Sequence, residues 1–300
     1  MSYILTANTP PPVVIHLDSG ANRVQQLESG LTTNFLYVLK EPILVPDHMN
    51  LLLSLHTATI PYSFYNVGSH NSLIRFVLNG VNKDLVLDSG NYSAFSLLNT
   101  IKSFLELEAS ITTFHISYTR ETLKFKMGFE GSATTLTIST DSTALSLLGL
   151  PSGGTIPKSA TTRLTSENAI DLNDSIHGLF IRQNLATKGT LDTNEGTFSN
   201  ILARLPITTN AGGIIFYNPS SNQHETMVSL PMIQTIGIRL TDDKHRSINL
   251  NGLHFQLSLK VSFIHKEILR EKPKRRIIPK QIIPKGKEVK IDKRKETKKK

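Results

Sequence analysis

Leu253-His254-Phe255-Gln256-Leu257-Ser258-Leu259-Lys260-Val261-Ser262-Phe263 alternates without a break: every odd-numbered residue is apolar and every even-numbered one polar. Successive side chains of a β-strand point to opposite faces, so this segment buries one face and wets the other. Wound as a helix, the same segment would scatter its apolar side chains around the whole circumference. A lysine-rich tail follows at once, so the strand also marks where the fold stops.

That boundary divides the charge. The 300 residues carry 33 Lys and Arg against 24 Asp and Glu, a formal net charge of +9. Residues 266–300 hold 16 of the basic and 5 of the acidic side chains, a local charge of +11. The other 265 residues are close to neutral, at −2. Basicity therefore belongs to an appendage and not to the folded body. With 39% hydrophobic residues the body can build a real core. The absence of cysteine excludes disulfides and thiolate metal sites and fits a reducing compartment. The first residues, Met1 to Asn8, lack a basic region and a long apolar run, so no signal peptide is expected. No stretch approaches the roughly 20 apolar residues of a membrane span.

Upstream of the closing strand, residues 1–24 contain Pro10-Pro11-Pro12 before Val13-Val14-Ile15-His16-Leu17. Three prolines favour an extended, solvated chain, predicting an arm that adds to a sheet edge. Strands are expected at Leu31–Leu39 and Met49–Thr59, with Glu41-Pro42 and Pro46-Asp47 as turn chemistry between them. The run Ile60-Pro61-Tyr62-Ser63-Phe64-Tyr65-Asn66-Val67 reads as a corner plugging one end of a sandwich, with an aromatic binding platform as the competing reading.

Between Asn71 and Leu150 the texture changes. A hairpin (Leu73–Leu78, Asp84–Leu87) leads to a helix capped by Asn91 or Ser93 and running to Glu106, with Phe95, Leu98, Ile101 and Leu105 at helical spacing. Strands at Thr113–Tyr118, Leu123–Met127 and Thr135–Ser139 precede a short helix, Ser142–Leu148, closed by Gly149. Pro151 to Arg163 reads as a linker. Strands then resume at Ser175–Gln183, Phe198–Leu205, Gly213–Tyr217 and Ile233–Leu240, the first of them buried on both faces. Turns are expected at Asp242-Asp243-Lys244-His245 and Asn249-Leu250-Asn251-Gly252.

Outside the middle block there are about eight β segments, the number of a jelly-roll sandwich. The expected class is all-β dominated: a single jelly-roll β-sandwich with an α+β insertion and a disordered basic C-terminal tail. Its parts are an extended arm (1–24), a discontinuous sandwich (25–70 and 164–265), the insertion (71–163) and the tail (266–300). Two consecutive β-rich domains split near residue 160 are the competing arrangement.

Motifs of chemistry are missing. The ten histidines never fall in a His-Glu-x-x-His pattern, and His56 and His254 belong to expected solvent faces. Asp242 and Asp243 lack the further ligands of a calcium loop and suit turn capping. Gly149, Gly153 and Gly154 precede neither Gly-Lys-Thr nor a helix, and no Gly-x-Ser-x-Gly elbow occurs. The expectation is a protein that is not an enzyme and has no catalytic residues, cofactor or metal. Only the tail offers a binding site. Its clusters Lys272, Lys274, Arg275, Arg276 and Lys293, Arg294, Lys295, Lys298, Lys299, Lys300 suit phosphate neutralisation, hence DNA or RNA. A nuclear-import signal and a solubilising tail are the other readings. Between the clusters, Ile277-Ile278-Pro279 and Ile282-Ile283-Pro284 look like short apolar plugs for a neighbouring subunit.

Taken in order, four stretches resemble the minor capsid (penton, or vertex) proteins of Polintons, polinton-like viruses and virophages, within the jelly-roll capsid lineage. They are Leu31-Thr32-Thr33-Asn34-Phe35 to Pro42-Ile43, Leu53 to Val67 with its Pro61-x-x-Phe64-Tyr65-Asn66 corner, Gly90-Asn91-Tyr92 to Gly149, and Ile236-Gly237-Ile238-Arg239-Leu240-Thr241-Asp242-Asp243 to the final strand. The resemblance implies a virion structural protein, a homo-oligomer (pentamer) at the vertices that contacts a double-jelly-roll major capsid protein. It also implies location in the virion after assembly in the host cytoplasm or nucleus. The tail has no counterpart in that pattern and would suit the packaged double-stranded DNA or a neighbouring subunit. A triplex or cement protein of the same viruses and a non-viral nucleic-acid-binding β protein are the alternatives. A jelly-roll lectin or hydrolase with a cleft in the insertion is a further hypothesis.

Overall fold

The structure, a computed structural model, describes residues 9–173, 176–185, 190–192, 196–219 and 224–266. Four strands open the chain: β1 (Val13–Asp18), β2 (Val24–Gln26), β3 (Asn34–Leu44) and β4 (Met49–Pro61). The insertion follows as β5 (Leu73–Leu78), β6 (Val81–Val86), α1 (Ala94–Glu106), β7 (Thr113–Thr119), β8 (Lys124–Glu130), β9 (Leu136–Ile138), α2 (Leu145–Leu148), β10 (Gly154–Thr155) and β11 (Leu164–Thr165). The chain closes with β12 (Gly178–Gln183), β13 (Thr190–Asp192), β14 (Thr197–Ser199), β15 (Ile201–Pro206), β16 (Ile214–Tyr217), β17 (Thr226–Val228), β18 (Met232–Thr241) and β19 (Gln256–His265).

β19 is the centre of its sheet, antiparallel to β1 on one side and to β4 on the other. Leu257, Leu259, Val261 and Phe263 turn inward and are buried. Each such side chain contributes about 1.5–3 kcal/mol. On the far side of β4, β16 and β17 pair with different stretches and form one interrupted edge. The facing sheet runs β15-β12-β18-β3-β2. If β16 and β17 count as one strand and the minor β2 and the β13–β14 hairpin are set aside, the eight strands in chain order are β1, β3, β4, β12, β15, β16/β17, β18 and β19. The first sheet then holds them in the order 1-8-3-6 and the second in the order 2-7-4-5, which is the jelly-roll connection. The expected jelly-roll sandwich is therefore present, with its insertion between the third and fourth strands. Its core, from Ile15 and Phe35 to Val261 and Phe263, is filled by both inner faces.

The insertion has a second core of its own, including Val67, Phe76, Leu97, Ile101, Phe114, Phe129 and Leu148. α1 begins at Ser93, whose side chain accepts from the Ser96 backbone N–H while Ser96 accepts from Ser93. Leu97, Ile101 and Leu105 repeat at four-residue spacing and are buried, whereas Phe95 is exposed. α2 stops at Gly149, which adopts φ +64° with Asn168 O only 2.3 Å from where a Cβ would sit.

Several expectations need correction. The proline-led arm does add to a sheet edge, paired over residues 13–18 with β19 as β1, but it is a full strand of the sandwich and not a solvated extension, and β2 already begins at Val24. Pro12 is the last residue barred from donating, so pairing starts immediately after it. The expected turn at Glu41-Pro42 is instead a wide bulge. β3 continues to Leu44, and its residues 39–42 lie opposite the single Gln234, whose side chain donates to Leu39 O at 3.0 Å. The insertion is also longer than 71–163, because β11 pairs with β8 and Ile170 and Leu172 pack on the second core. The expected strand at 198–205 breaks at Asn200 into β14 and β15, and the closing strand starts at Gln256, three residues later than the alternation. The tail, 267–300, lies outside the described residues.

Candidate functional site

Three places on the described surface concentrate unusual chemistry. The first is a buried polar network at the end of β12. Arg182 sits near the end of β12, after the apolar run Leu179-Phe180-Ile181, and its burial forces it to find partners for its five donors. Its Nε donates to Thr241 Oγ1, Nη1 to Asn200 Oδ1 and Nη2 to Asp192 Oδ2, each at 3.2 Å. Nη2 also meets His245 Nδ1, and His245 Nε2 lies 3.4 Å from Asp192 Oδ2. The only hydroxyl in this group, Thr241 Oγ1, is occupied by Arg182, so the arrangement suits a structural clamp on the β13 hairpin more than nucleophilic chemistry.

The second is a cleft of about 320 Å3 at the corner where the chain leaves the sandwich for the insertion. Tyr62 and Phe64 stack with ring centroids 4.2 Å apart and Phe64 is buried, so most of the aromatic corner does plug the sandwich end. Tyr65 does not; it lines the cleft and stays 43% exposed. On the opposite wall Asp242, 1% exposed, caps its turn: Oδ1 accepts from Lys244 N at 2.9 Å and Arg246 N at 2.8 Å, while Oδ2 accepts from Arg246 Nε. The turn is pinned to the corner by Ser63 Oγ donating to Leu250 O and by Asn251 Nδ2 donating to Ser63 O.

The third is one lateral edge of the sandwich, where the interrupted β16/β17 edge and β15 bring the ends of the two sheets together. Ile214 (63%), Phe216 (61%) and Met227 (54%) are exposed there. Leu191 (68%) and Phe198 (54%) are cross-strand partners on the β13–β14 hairpin, which Thr190 Oγ1 ties to His224 Nε2 at 3.4 Å. Isolated exposed apolar residues are ordinary, but several on one edge make it the strongest candidate for an interaction surface among the described residues. The opposite edge, β1 and the chain after β2, exposes Val13, Val14 and Leu27.

His254 precedes β19, with its ring over Gly20 and Nδ1 3.4 Å from Ser19 Oγ. His56 is the extra residue of a β4 bulge, without a partner position on β19. Beside them, the Gly20 backbone N–H and then the Gln256 amide hold the Asp18 carboxyl below the usual carboxylate range. Among the described residues no group of three or more His, Asp or Glu could hold a metal ion, and no helix is long and apolar enough to cross a membrane. The tail residues Lys272, Lys274, Arg275, Arg276, Lys293, Arg294, Lys295, Lys298, Lys299 and Lys300 lie outside the described residues. Sequence reasoning missed the lateral edge and the network. The available signals were Arg182 directly after the apolar run Leu179-Phe180-Ile181, and Leu191 and Phe198 alone among polar neighbours.

No family profile matches the sequence, and no curated protein matches it. Among solved structures, the chain is similar to the penton protein of mavirus, at 12% identity and a TM-score of 0.46 over 85% of this chain and all of that one.

Proposed function

We propose that the chain is a non-enzymatic building block of a virion shell, a minor capsid protein of the penton type that assembles into rings through its lateral edges. The observation that carries this is the set of exposed apolar side chains on the β16/β17 edge, Ile214, Phe216 and Met227, and on the β13–β14 hairpin, Leu191 and Phe198, in a jelly roll whose opposite edge is different. A contact between two unlike surfaces of the same chain is heterologous, and it closes into a ring when the rotation per subunit permits. The ordered resemblance of the four sequence stretches supports the same assignment and makes five subunits the expected number. In this role the surfaces not used within the ring meet the double-jelly-roll major capsid protein. The basic tail faces the packaged DNA or a neighbouring subunit, and the protein resides in the virion.

The test is the mass of the full-length protein in solution by sedimentation. The expected result is a closed oligomer at high concentration. Phe216→Lys combined with Leu191→Lys should shift it to monomer while leaving the chain folded by circular dichroism, because both side chains are exposed in the single chain. A chain that stays monomeric alone yet binds the major shell protein would instead indicate the cement role. A chain that does neither overturns the proposal.

A further inference from the structure

Shell building makes no use of the cleft beside Tyr65. Its volume, about 320 Å3, sits at the low end of small-molecule sites, which run from about 300 to 1,000 Å3. Its walls are preorganised. Asp242 is fixed by two backbone N–H groups and the Arg246 guanidinium, and Asn249 Oδ1 accepts from Asn251 N at 2.8 Å. Tyr65 follows directly on the stacked, buried Phe64, so its backbone is held while much of the side chain remains exposed. A rigid site loses less entropy on binding.

The chemistry of the lining narrows the ligand. Asp242 and Arg246 pair with each other, so neither charge is left to dominate the cleft. Tyr65, Ser69, His70, Ser89 and Asn249 are among its lining residues and bring hydroxyls, an imidazole and a carboxamide, all short donors and acceptors. An apolar ligand would desolvate these groups without replacing their hydrogen bonds. A phosphate would call for a guanidinium uncommitted to a carboxylate. A ligand with an apolar face for the tyrosine ring and hydroxyls around its rim satisfies both demands. We propose that this cleft binds one or two units of a neutral saccharide, stacked on Tyr65 and hydrogen-bonded by the Asn249 amide. The inference goes beyond the shell function and does not depend on it.

The experiment uses the full-length chain on an array of immobilised neutral hexose and N-acetylhexosamine oligosaccharides, followed by calorimetric titration with the free form of any sugar that binds. Tyr65→Ala should weaken binding at least tenfold. Asn249→Asp keeps the oxygen that caps Asn251 N but removes the amide donors, and should weaken it severalfold. Phe216→Ala, on the lateral edge, should leave affinity unchanged. Melting temperatures near that of the parent chain show that each variant is folded. Should Tyr65→Ala fail to fold, Asn249→Asp together with saturation-transfer contacts between sugar protons and the Tyr65 ring decides the matter. No binding to any sugar at millimolar concentration, or binding that survives both cleft substitutions, overturns the inference. So does binding lost with Phe216→Ala. Sedimentation of the same samples reads the assembly function separately.

Discussion

Leu259 shows how much of the sandwich rests on single side chains. It is fully buried, pairs with Ile15 on β1 and Leu55 on β4, and lies in the middle of the sheet. Leu259→Ala should cost about 2–5 kcal/mol in urea unfolding, the range for a large-to-small change in a close-packed core. Leu259→Asp should abolish folding, because a carboxylate there has no partner and its burial costs more than a domain can spare. Asp18 makes the opposite kind of contribution, at the surface and dependent on pH. Its folded-state carboxyl titrates below the ordinary value, mainly through the Gly20 N–H and then through Gln256. A depressed folded value gives stability that is present above the unfolded value, about 3.9. That stability is lost as pH falls through the folded one. Asp18→Asn should therefore destabilise the protein at pH 7 by on the order of 0.5 kcal/mol, allowing for solvent screening. The two proteins should converge at strongly acidic pH in parallel thermal melts.

At the scale of elements, the two cores share no side chain, although the chain crosses between them twice. Local unfolding follows such divisions. Ile101→Ala, in the buried stripe of α1, should accelerate amide exchange in β5, β7 and β8 while the central amides of β19 keep their protection. Equal acceleration in β19 would mean that the insertion and the sandwich open as one unit. What could be read from sequence follows the same physics. β19 is long, and its period-two alternation survives over ten residues and betrays it, while β4 shows the period only in short runs, Leu51-Leu53-Leu55 and, past the His56 bulge, Ala58-Ile60. β10, β11, β13 and β17 are two or three residues long and leave no period to detect. β1 carries a legible alternation, Ile15 and Leu17 against His16 and Asp18, and its addition to a sheet edge was readable, whereas Pro10 to Pro12 hid that it is a full strand of the sandwich. The clamp around Arg182 was out of reach because Asp192, Thr241 and His245 stand up to 63 residues away in sequence. Nor can periodicity distinguish the apolar side chains that fill a core from those, such as Phe216, that face outward on an edge strand.

For the whole molecule, the division of charge is the feature that function must use. The body through residue 265 is at −2 and the remainder at +11. The structure sharpens where to cut. Lys266 still belongs to the sandwich, its backbone N–H donating to His48 O at 2.9 Å and its Nζ to Asp47 O at 2.8 Å. A chain ending at Lys266 should therefore melt at the temperature of the full protein, since every described strand and both cores are retained. Full-length protein should bind duplex DNA of any sequence. The logarithm of its affinity should fall by about 0.9 per phosphate engaged for each tenfold rise in salt. With six or more contacts, roughly a thousandfold is lost between 50 and 200 mM salt. The shortened chain should lose that binding, because a near-neutral body has no cationic cluster to displace the counterions condensed on the DNA. If it instead kept the same steep salt dependence, the nucleic-acid contact would lie on the folded body, and the tail would be left with the role its two Ile-Ile-Pro segments suggest, contact with a neighbouring subunit.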